Sequence, residues 1–271
     1  MDRIRPILKW PGGKFRLLDA ILPQLPPGKR LVEPFVGSGA VFMNTEYPSY
    51  LLCDLNADLV DFYRELMEKK RGFVEACRAL FADANDPKIF YERRERFNAL
   101  KPGRERAALF LYFNRHGYNG LIRYNAKGEF NVPFGRYAKP YFPEREMLAF
   151  VEKVAAARVE FLTGDFRDTF RRVRKGDVVY CDPPYIPLSD TANFTGYAGN
   201  VFGPAEQAAL AEKAEKAAAK GARVVVSNHD SRESRELYRN AFRTEKFAVR
   251  RFISCNGKKR DMVDELLAVY Q

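Results

Sequence analysis

The segment Asp182-Pro-Pro-Tyr185 has the composition of a site that acts on an amine. Two consecutive prolines end a sheet ladder and fix a rigid turn, so the Asp182 carboxylate and the carbonyl of Pro183 can both accept hydrogen bonds from one small group. Tyr185, directly beyond the turn, offers a flat face on which a base can stack. We therefore predict that Asp182, Pro183, Pro184 and Tyr185 are catalytic.

The group that suits this arrangement is the exocyclic amine of a nucleobase. Such an amine is a poor nucleophile because its lone pair is delocalised into the ring. Two acceptors on its hydrogens favour a tetrahedral nitrogen, which can attack a sulfonium methyl group in line. Because positioning and electrostatics supply most of this catalysis, we expect no covalent intermediate and no metal site. The sequence contains no Pro-Cys pair, which disfavours methylation at carbon 5 of cytosine, and Cys181 is predicted to be a buried strand residue.

A glycine loop and a strand-end aspartate predict the second half of the site. Leu31-Val-Glu-Pro-Phe-Val-Gly-Ser-Gly39 has the pattern of a strand that leads into Gly-x-Gly and a helix, which lets the backbone approach a ligand closely. Phe42 stands where the dinucleotide fingerprint has its third glycine, which disfavours a dehydrogenase. Asp54, after the strand Tyr50 to Cys53, could accept hydrogen bonds from ribose hydroxyls or cap the next helix. Beside the glycine loop we favour the ribose.

The N-terminal segment Lys9-Trp-Pro-Gly-Gly-Lys14 resembles a phosphate-binding loop only superficially. Phe15 follows the lysine where Ser or Thr is required, and the spacing G-x-x-x-x-G-K is absent, which disfavours a nucleoside triphosphatase. Trp10 and the two glycines could line a cofactor pocket, with Lys14 near a carboxylate of the cofactor. Alternatively, the segment is a surface turn in which Trp10 fills the core.

Alternating strand and helix patterns must position these residues. Helical patterns at Asn56 to Ala82 and at Pro204 to Lys220, with Gly221 as a stop, lie between short β-rich apolar runs. The predicted strands are Leu31–Phe35, Tyr50–Cys53, Val159–Leu162, Val178–Cys181, Arg223–Ser227 and Leu266–Tyr270. This order predicts an α/β fold with a mostly parallel, doubly wound sheet. The alternation breaks between about residues 57 and 145, and we interpret this segment as an inserted second lobe. We expect it to pack on the lobe that contains the sheet.

The inserted lobe carries most of the excess positive charge. The formal net charge is +11, and residues 88–145 hold 13 Lys or Arg against 5 Glu, a net charge of +8. Residues 110–142, which we interpret as lacking a regular period, contain ten aromatic residues together with Asn114, Asn119, Asn125 and Asn131. Basic side chains bind phosphates, Asn and Arg read base edges, and an aromatic ring can fill the gap that a flipped base leaves. The lobe is therefore predicted to bind DNA, the alternative being an aromatic satellite core with solvated arginines.

The remaining composition disfavours several classes of protein. The histidines are His116 and His229, and the cysteines are Cys53, Cys77, Cys181 and Cys255. The cysteines are too few and too scattered for a zinc pattern or a disulfide scaffold. The two histidines give little support to a histidine-rich metal site or to a Ser-His-Asp hydrolase. No apolar run reaches the roughly 18 residues of a membrane span and no secretory signal is present, so we expect a cytoplasmic protein. The basic segment Ser254 to Arg260 could contact phosphates or form a solvated hairpin turn.

The chain closely resembles the Dam group of DNA adenine methyltransferases over nearly its whole length. The resemblance lies in the motifs KWPGGK, VEPFVGSGAVF, CDLN, TGDF, YCDPPY and VSNHD, in that order. The resemblance implies a Rossmann-like class I methyltransferase domain, residues 1–56 and 146–271, with an inserted, mainly helical target-recognition domain at residues 57–145. It also implies S-adenosylmethionine as the cofactor. The matching cofactor-pocket residues are Trp10, Lys14, Glu33, Phe35, Gly37, Gly39, Asp54, Asp165, Phe166 and Asp182. For Asp165 and Phe166, a simple turn is the alternative.

The resemblance extends to residues that read DNA. Gly117-Tyr-Asn-Gly-Leu-Ile-Arg-Tyr124 is similar to the family's recognition hairpin, which implies that Tyr118 intercalates and that Leu121 and Arg123 read bases. Further DNA contacts are expected from Lys9, Asn119, Asn125 and Arg136. The implied partner is double-stranded DNA containing GATC, whose flipped-out adenine is methylated. Association with the nucleoid would follow from that DNA, and no obligate protein partner is implied.

Two other functions are compatible with these motifs. A restriction-system methyltransferase would modify a different adenine or a cytosine, and methylated sites outside GATC would reveal it. A DNA-binding regulator without catalysis would bind its sequence tightly and have no affinity for the cofactor. The complete Asp182-Pro-Pro-Tyr185 segment argues against the regulator.

Overall fold

The computed structural model describes residues 3–82, 85–186, 202–250 and 262–271. Within these ranges seven strands form one sheet in the order β3-β2-β1-β4-β5-β7-β6. The strands are β1 (Arg30–Glu33), β2 (Ser49–Asp54), β3 (Arg158–Thr163), β4 (Asp177–Cys181), β5 (Arg223–His229), β6 (Arg243–Arg250) and β7 (Met262–Tyr270). The first five in the order are parallel, and β7 pairs antiparallel with both β5 and β6. The predicted α/β fold with a mostly parallel sheet is confirmed.

The chain reverses its direction across the sheet between β1 and β4. Strands β1, β2 and β3 follow one another to one side, whereas β4 returns to the other side of β1. Parallel pairing of Val32 with Val179 places the carboxyl ends of β1 and β4 at the same sheet edge. Ligands of doubly wound sheets bind at such a switch point. The glycine loop and Asp182, far apart in sequence, therefore meet there.

Strand β6 is not among the strands predicted from the sequence. Its sequence RTEKFAVR contains three charged residues in its first four, so it lacks the apolar pattern on which strand prediction relies. Arg243, Thr244 and Lys246 are exposed, as expected for a strand at the edge of a sheet, where charges discourage pairing with another chain.

Nine α-helices lie within the described ranges. They are α1 (Leu18–Ile21), α2 (Ala40–Met43), α3 (Ala57–Ala79), α4 (Pro87–Ala99), α5 (Arg104–His116), α6 (Glu144–Ala156), α7 (Phe166–Arg171), α8 (Pro204–Ala219) and α9 (Arg232–Leu237), with short 3-10 turns at Lys14–Leu17, Leu22–Gln24 and Tyr118–Gly120. The predicted helix Asn56 to Ala82 ends at Ala79 and is interrupted at Lys70, whose φ is 49°. The helix predicted at Pro204 to Lys220 matches α8, and Gly221 follows it at a φ of 86°. None of the helices in the described residues has the length and hydrophobicity of a membrane span.

Apolar side chains cover both faces of the sheet. On one face, Val179 and Val224 pack with Leu210 of α8. On the other face, the core continues from the strands into α3, α4 and α5, which contribute Phe62, Phe90 and Phe113 among others. The helical segment between β2 and β3 thus shares one apolar core with the sheet.

Much of the aromatic run belongs to this core. Phe110 and Phe113 lie on α5 and are almost fully buried, as is Phe130 in the segment that follows. Residues 110–116 are therefore helical, and the interpretation that residues 110–142 lack a regular period is wrong for them. The alternative of an aromatic core accounts for these rings, whereas Tyr118 and Tyr141 are exposed.

A partly buried ion pair links α3 to α5. Both carboxylate oxygens of Asp58 accept hydrogen bonds from Arg106, at 2.6 and 2.9 Å, and the Tyr124 hydroxyl donates to Asp58 Oδ2 at 2.5 Å. Arg106 also donates to the carbonyls of Phe97 and Leu100. Asp58 therefore connects two helices and the segment that contains Tyr124.

We expect Asp58→Ala to lower the free energy of unfolding by about 2 kcal/mol, because it removes the counter-ion and two hydrogen bonds of the partly buried Arg106 guanidinium. Asp61→Ala is the matched control on the same helix, since the ion pair of Asp61 with the partly exposed Arg64 is longer, at 3.6 Å. Its loss should be below about 1 kcal/mol. Urea denaturation of both variants measures the difference, and equal losses would contradict the assigned role of Asp58.

Candidate active site

The N-terminal segment, residues 9–14, contacts both the glycine loop after β1 and the turn after β4. Lys14 is buried, and its Nζ lies 2.8 Å from Asp182 Oδ1 and donates to the carbonyl of Gly12 at 2.6 Å. A Cβ atom at Gly37 would lie 3.0 Å from the Trp10 indole. Trp10 is only partly buried and covers the glycine loop. The structure thus brings Trp10, Lys14, Gly37 and Asp182 together, and Trp10 also packs against the apolar core.

The glycine loop has the backbone geometry that its glycines allow. Gly37 and Gly39 have φ values of 47° and 67°, in the left-handed region that favours glycine. The loop is fixed at Gly37, whose carbonyl accepts from the Tyr63 hydroxyl at 3.0 Å and whose N–H donates to Asp54 Oδ2 at 3.0 Å. Substitution at Gly37 would force a shift of Trp10 as well as of the backbone.

Asp54 ties the end of β2 to this loop. Its second oxygen, Oδ1, accepts from the N–H of Asn56 at 3.0 Å, while the cap of α3 is the Asn56 side chain, which accepts from Leu59. Burial raises the pKa of Asp54, and the hydrogen bonds from Asn56 and Gly37 oppose that shift. Asp54 does not cap α3 with its own side chain, and each carboxylate oxygen has a further lone pair for a ligand hydroxyl.

Glu33 is a buried acid with an unsatisfied oxygen. It ends β1, is 2% exposed, and its Oε1 has no hydrogen-bond partner among the described residues. Burial and the nearby Asp182 raise the pKa of Glu33 well above its usual range. A buried acceptor without a partner requires an explanation, and a ligand with donors or positive charge would provide one.

We expect Glu33→Gln to stabilise the free protein at pH 8. Because the pKa of Glu33 is raised in the folded state, its contribution to stability is fully present below the pKa of a free glutamate, about 4.3. This contribution is lost as the pH rises through the folded-state pKa. Glutamine stays neutral, so its advantage should grow with pH, by about 1.4 kcal/mol for each unit of pKa shift. Thermal unfolding at pH 5 and pH 8 measures this, with Glu68→Gln as an exposed control. A destabilised Glu33→Gln at pH 8 would contradict it.

An aromatic group lies beside the glycine loop. The rings of Phe35 and Phe166 stack with centroids 5.6 Å apart, and Phe202 packs against both. Asp165 accepts from the N–H of Arg167 at 2.8 Å and thereby caps α7, as the turn alternative requires. Its carboxylate also pairs with the Arg167 guanidinium at 3.1 Å. The structure therefore places Phe166 against Phe35 and uses the Asp165 side chain locally.

Neighbouring elements hold the Asp182-Pro-Pro-Tyr185 turn at several points. The Ser227 hydroxyl donates to Asp182 Oδ1 at 3.1 Å, and Gln207 donates to the carbonyl of Pro184 at 2.7 Å. The Tyr185 hydroxyl donates to Glu265 Oε2 at 2.8 Å. Cys181, just before the turn, is fully buried in β4, as predicted.

Ser227, Gln207 and Glu265 are not among the site residues predicted from the sequence. Ser227 had a detectable signal, since it lies in the motif VSNHD at the end of a predicted strand, and the pairing of Cys181 with Val226 places it beside Asp182. Gln207 lies on a helix whose pattern indicated nothing beyond a helix, and Glu265 precedes the last predicted strand. Their roles depend on which elements become neighbours in space.

A second group of predicted residues surrounds the turn Tyr118–Gly120. Buried Asn114 accepts from the N–H of Lys9 at 2.8 Å and donates to the carbonyls of Lys9 and Gly120 at 2.7 and 2.9 Å. The Lys9 ammonium lies 4.1 Å from the centre of the Tyr137 ring. Asn114 therefore joins the N-terminal segment to the turn, and its amide forms hydrogen bonds inside the protein.

The exposed residues of this group differ in how they are held. Tyr118 is 53% exposed, and Asn119 beside it has a φ of 53°. The Arg123 Nε donates to Asn131 Oδ1 at 2.8 Å, whereas Asn125 Oδ1 accepts from two backbone N–H groups of its own turn. Leu121 is half-buried, and Arg136 is exposed with a φ of 51°. The segment Ser254 to Arg260, including Cys255, lies outside the described residues.

Comparison with known proteins identifies the family. The protein-family model described as D12 class N6 adenine-specific DNA methyltransferase matches residues 10–252. Proteins named DNA adenine methylase from Salmonella typhi and Escherichia coli K12 are each 50% identical over the whole chain, which spans 97% of each of them. A protein of the same name from Vibrio cholerae is 48% identical over the same lengths. The chain therefore belongs to the D12 class of N6 adenine-specific DNA methyltransferases.

Proposed function

We propose that this enzyme transfers a methyl group from S-adenosylmethionine to the exocyclic amino group of a flipped-out adenine in duplex GATC. The observation that carries the proposal is the position of Asp182. It directly follows β4 at the switch point, pairs with Lys14 of the segment whose Trp10 lies against Gly37, and accepts a hydrogen bond from Ser227. The related proteins named DNA adenine methylase support adenine as the target.

The residues at the β1 side fit the proposed cofactor. The unsatisfied Glu33 oxygen suits a cationic or hydrogen-bonding ligand, and Phe35 with Phe166 offers an apolar surface for a purine ring. Asp54 has acceptor capacity left for ribose hydroxyls. We assign the cofactor to these residues together with Trp10, Lys14, Gly37, Gly39, Asp165 and Asp182. When bound, the cofactor supplies an electrophilic methyl group on a sulfonium.

The turn at β4 binds and orients the target amine. We propose that the Asp182 carboxylate and the Pro183 carbonyl accept the two hydrogens of the amine, so that the nitrogen lone pair faces the methyl group. Gln207 already occupies the carbonyl of Pro184, which leaves that of Pro183 for the substrate. The ring of Tyr185 stacks on the base. Orientation of this kind lowers the barrier of a direct transfer without any covalent intermediate.

The helical segment is proposed to read the DNA. We assign residues 57–145 as the target-recognition domain, and residues 1–56 with 146–271 as the catalytic domain. Exposed Tyr118 would fill the gap left by the adenine, and Leu121 and Arg123 would contact base edges. Lys9, Asn119, Asn125 and Arg136 would contribute further contacts. The net charge of residues 88–145 favours binding to phosphates, and we propose a cytoplasmic, nucleoid-associated protein.

Label transfer from S-adenosylmethionine tests this proposal. Purified protein is incubated with cofactor labelled in the methyl group and with two duplexes that differ only in one GATC, replaced in the second by GTTC. We expect label in the first duplex alone, on the amino group of adenine. No labelling of either duplex by folded protein, or equal labelling of both, would contradict the proposal.

A further inference from the structure

The hydroxyl end of Tyr185 is held by the antiparallel part of the sheet. Its oxygen lies 2.8 Å from Glu265 Oε2 on β7, and its ring meets the His229 ring edge-on with centroids 4.6 Å apart. His229 and Glu265 are directly paired residues of β5 and β7. Two paired residues therefore contact the same tyrosine, His229 at its ring and Glu265 at its hydroxyl.

Glu265 is suited to hold this hydroxyl in one place. It is 9% exposed and lies on a strand bonded to partners on both sides, which fixes a side chain better than a loop does. Burial, followed by the charges of Asp182 and Glu265, raises the pKa of Tyr185 well above its usual range. The phenol therefore stays protonated and remains a donor to the carboxylate.

The orientation of this ring matters for the transfer. Asp182 is held by Ser227 of β5, so the acceptor of the amine and the stacking ring are both fixed from neighbouring strands. If the ring tilts, a stacked base moves relative to Asp182, and a misplacement of about 1 Å can cost about 100-fold in rate. The hydroxyl is not needed for stacking itself, because a phenyl ring has the same face.

We infer that Glu265 is a positioning residue for methyl transfer, which acts through the Tyr185 hydroxyl to set the angle at which the target base is stacked. This inference rests on the proposed role of Tyr185 in holding the target adenine. It assigns to the last strand, which contains none of the predicted site residues, a specific contribution to catalysis.

A double-mutant cycle tests the inference. Glu265→Leu and Tyr185→Phe should each lower kcat by about 10- to 100-fold, with the KM for DNA and the affinity for S-adenosylmethionine changed by less than about threefold. The double variant should be no slower than either single variant, because both remove one interaction. Glu265→Gln, which keeps an acceptor oxygen, should restore kcat to within about threefold of the wild type.

The control is Asp264→Leu, at the adjacent, exposed position whose side chain points to the opposite face of β7. It should leave kcat unchanged. A wild-type rate in Tyr185→Phe, which keeps the ring and removes one oxygen, would overturn the inference whether or not Glu265→Leu folds. A double variant slowed by the product of the single effects would also overturn it, since Glu265 would then act independently. Failure of wild-type protein to methylate the GATC duplex would instead refute the proposed function.

Discussion

Asp182→Asn is expected to lower kcat by about 10²- to 10³-fold, the range found when one preorganised hydrogen-bonding group is removed from a catalytic site. Asparagine keeps the size of the side chain and an oxygen that can accept from Ser227, which lies 3.1 Å from Asp182 Oδ1. It replaces the other acceptor by an NH₂ donor, which repels an amine hydrogen. Single-turnover transfer to a duplex containing one GATC measures the chemical step.

The control for this variant is Asp168→Asn, at an aspartate of α7 that pairs with Arg171 at the surface. It should retain the wild-type rate. Because Asp182 also pairs with buried Lys14, thermal unfolding must show that Asp182→Asn is folded under the assay conditions. A folded Asp182→Asn protein with a rate within threefold of the wild type would contradict the assigned role of Asp182.

Arg123→Ala is expected to reduce discrimination at one base pair of the target by about 5- to 150-fold, which corresponds to about 1–3 kcal/mol for a bidentate contact to a base. Arg123 is exposed, and the hydrogen bond from its Nε to Asn131 Oδ1 leaves other guanidinium N–H groups that can donate to a guanine. The measurement is the ratio of kcat/KM on GATC to kcat/KM on duplexes with one substituted base pair.

Lys127→Ala provides the comparison, since Lys127 is an exposed cation in the same segment. Loss of a phosphate contact weakens binding to all sequences alike and leaves the ratio unchanged. If Arg123→Ala lowered kcat/KM equally for every duplex, Arg123 would be a phosphate contact, and the prediction of base reading would be wrong.

The parallel part of the fold could be predicted because its strands are short apolar runs that end in residues with chemical function. Glu33, Asp54 and Asp182 each follow such a run, and a parallel sheet brings these ends to one edge. The charged edge strand β6 lacks that apolar signal. β6 contributes none of the assigned site residues.

Residues that act through long-range contacts could not be predicted in the same way. The pairing of β5 with β7 brings Glu265 to Tyr185, and the contact of Asn114 with Lys9 joins segments 105 residues apart. An asparagine among basic and aromatic residues suggests a contact with DNA, whereas the structure shows it bonded to backbone groups inside the protein. Sequence patterns indicate which residues can do chemistry, but the packing decides which of them face a ligand.

We propose above that this protein methylates the adenine of GATC in duplex DNA. The most direct test is to express the gene in cells that have no adenine methylation of their own, and to map methylated bases across the genome by sequencing. We expect methylated adenine at GATC on both strands and at no other sequence motif, and none in cells that express Asp182→Asn. Methylation of a different motif, methylation of cytosine, or a genome without methylation despite folded protein would contradict the claim.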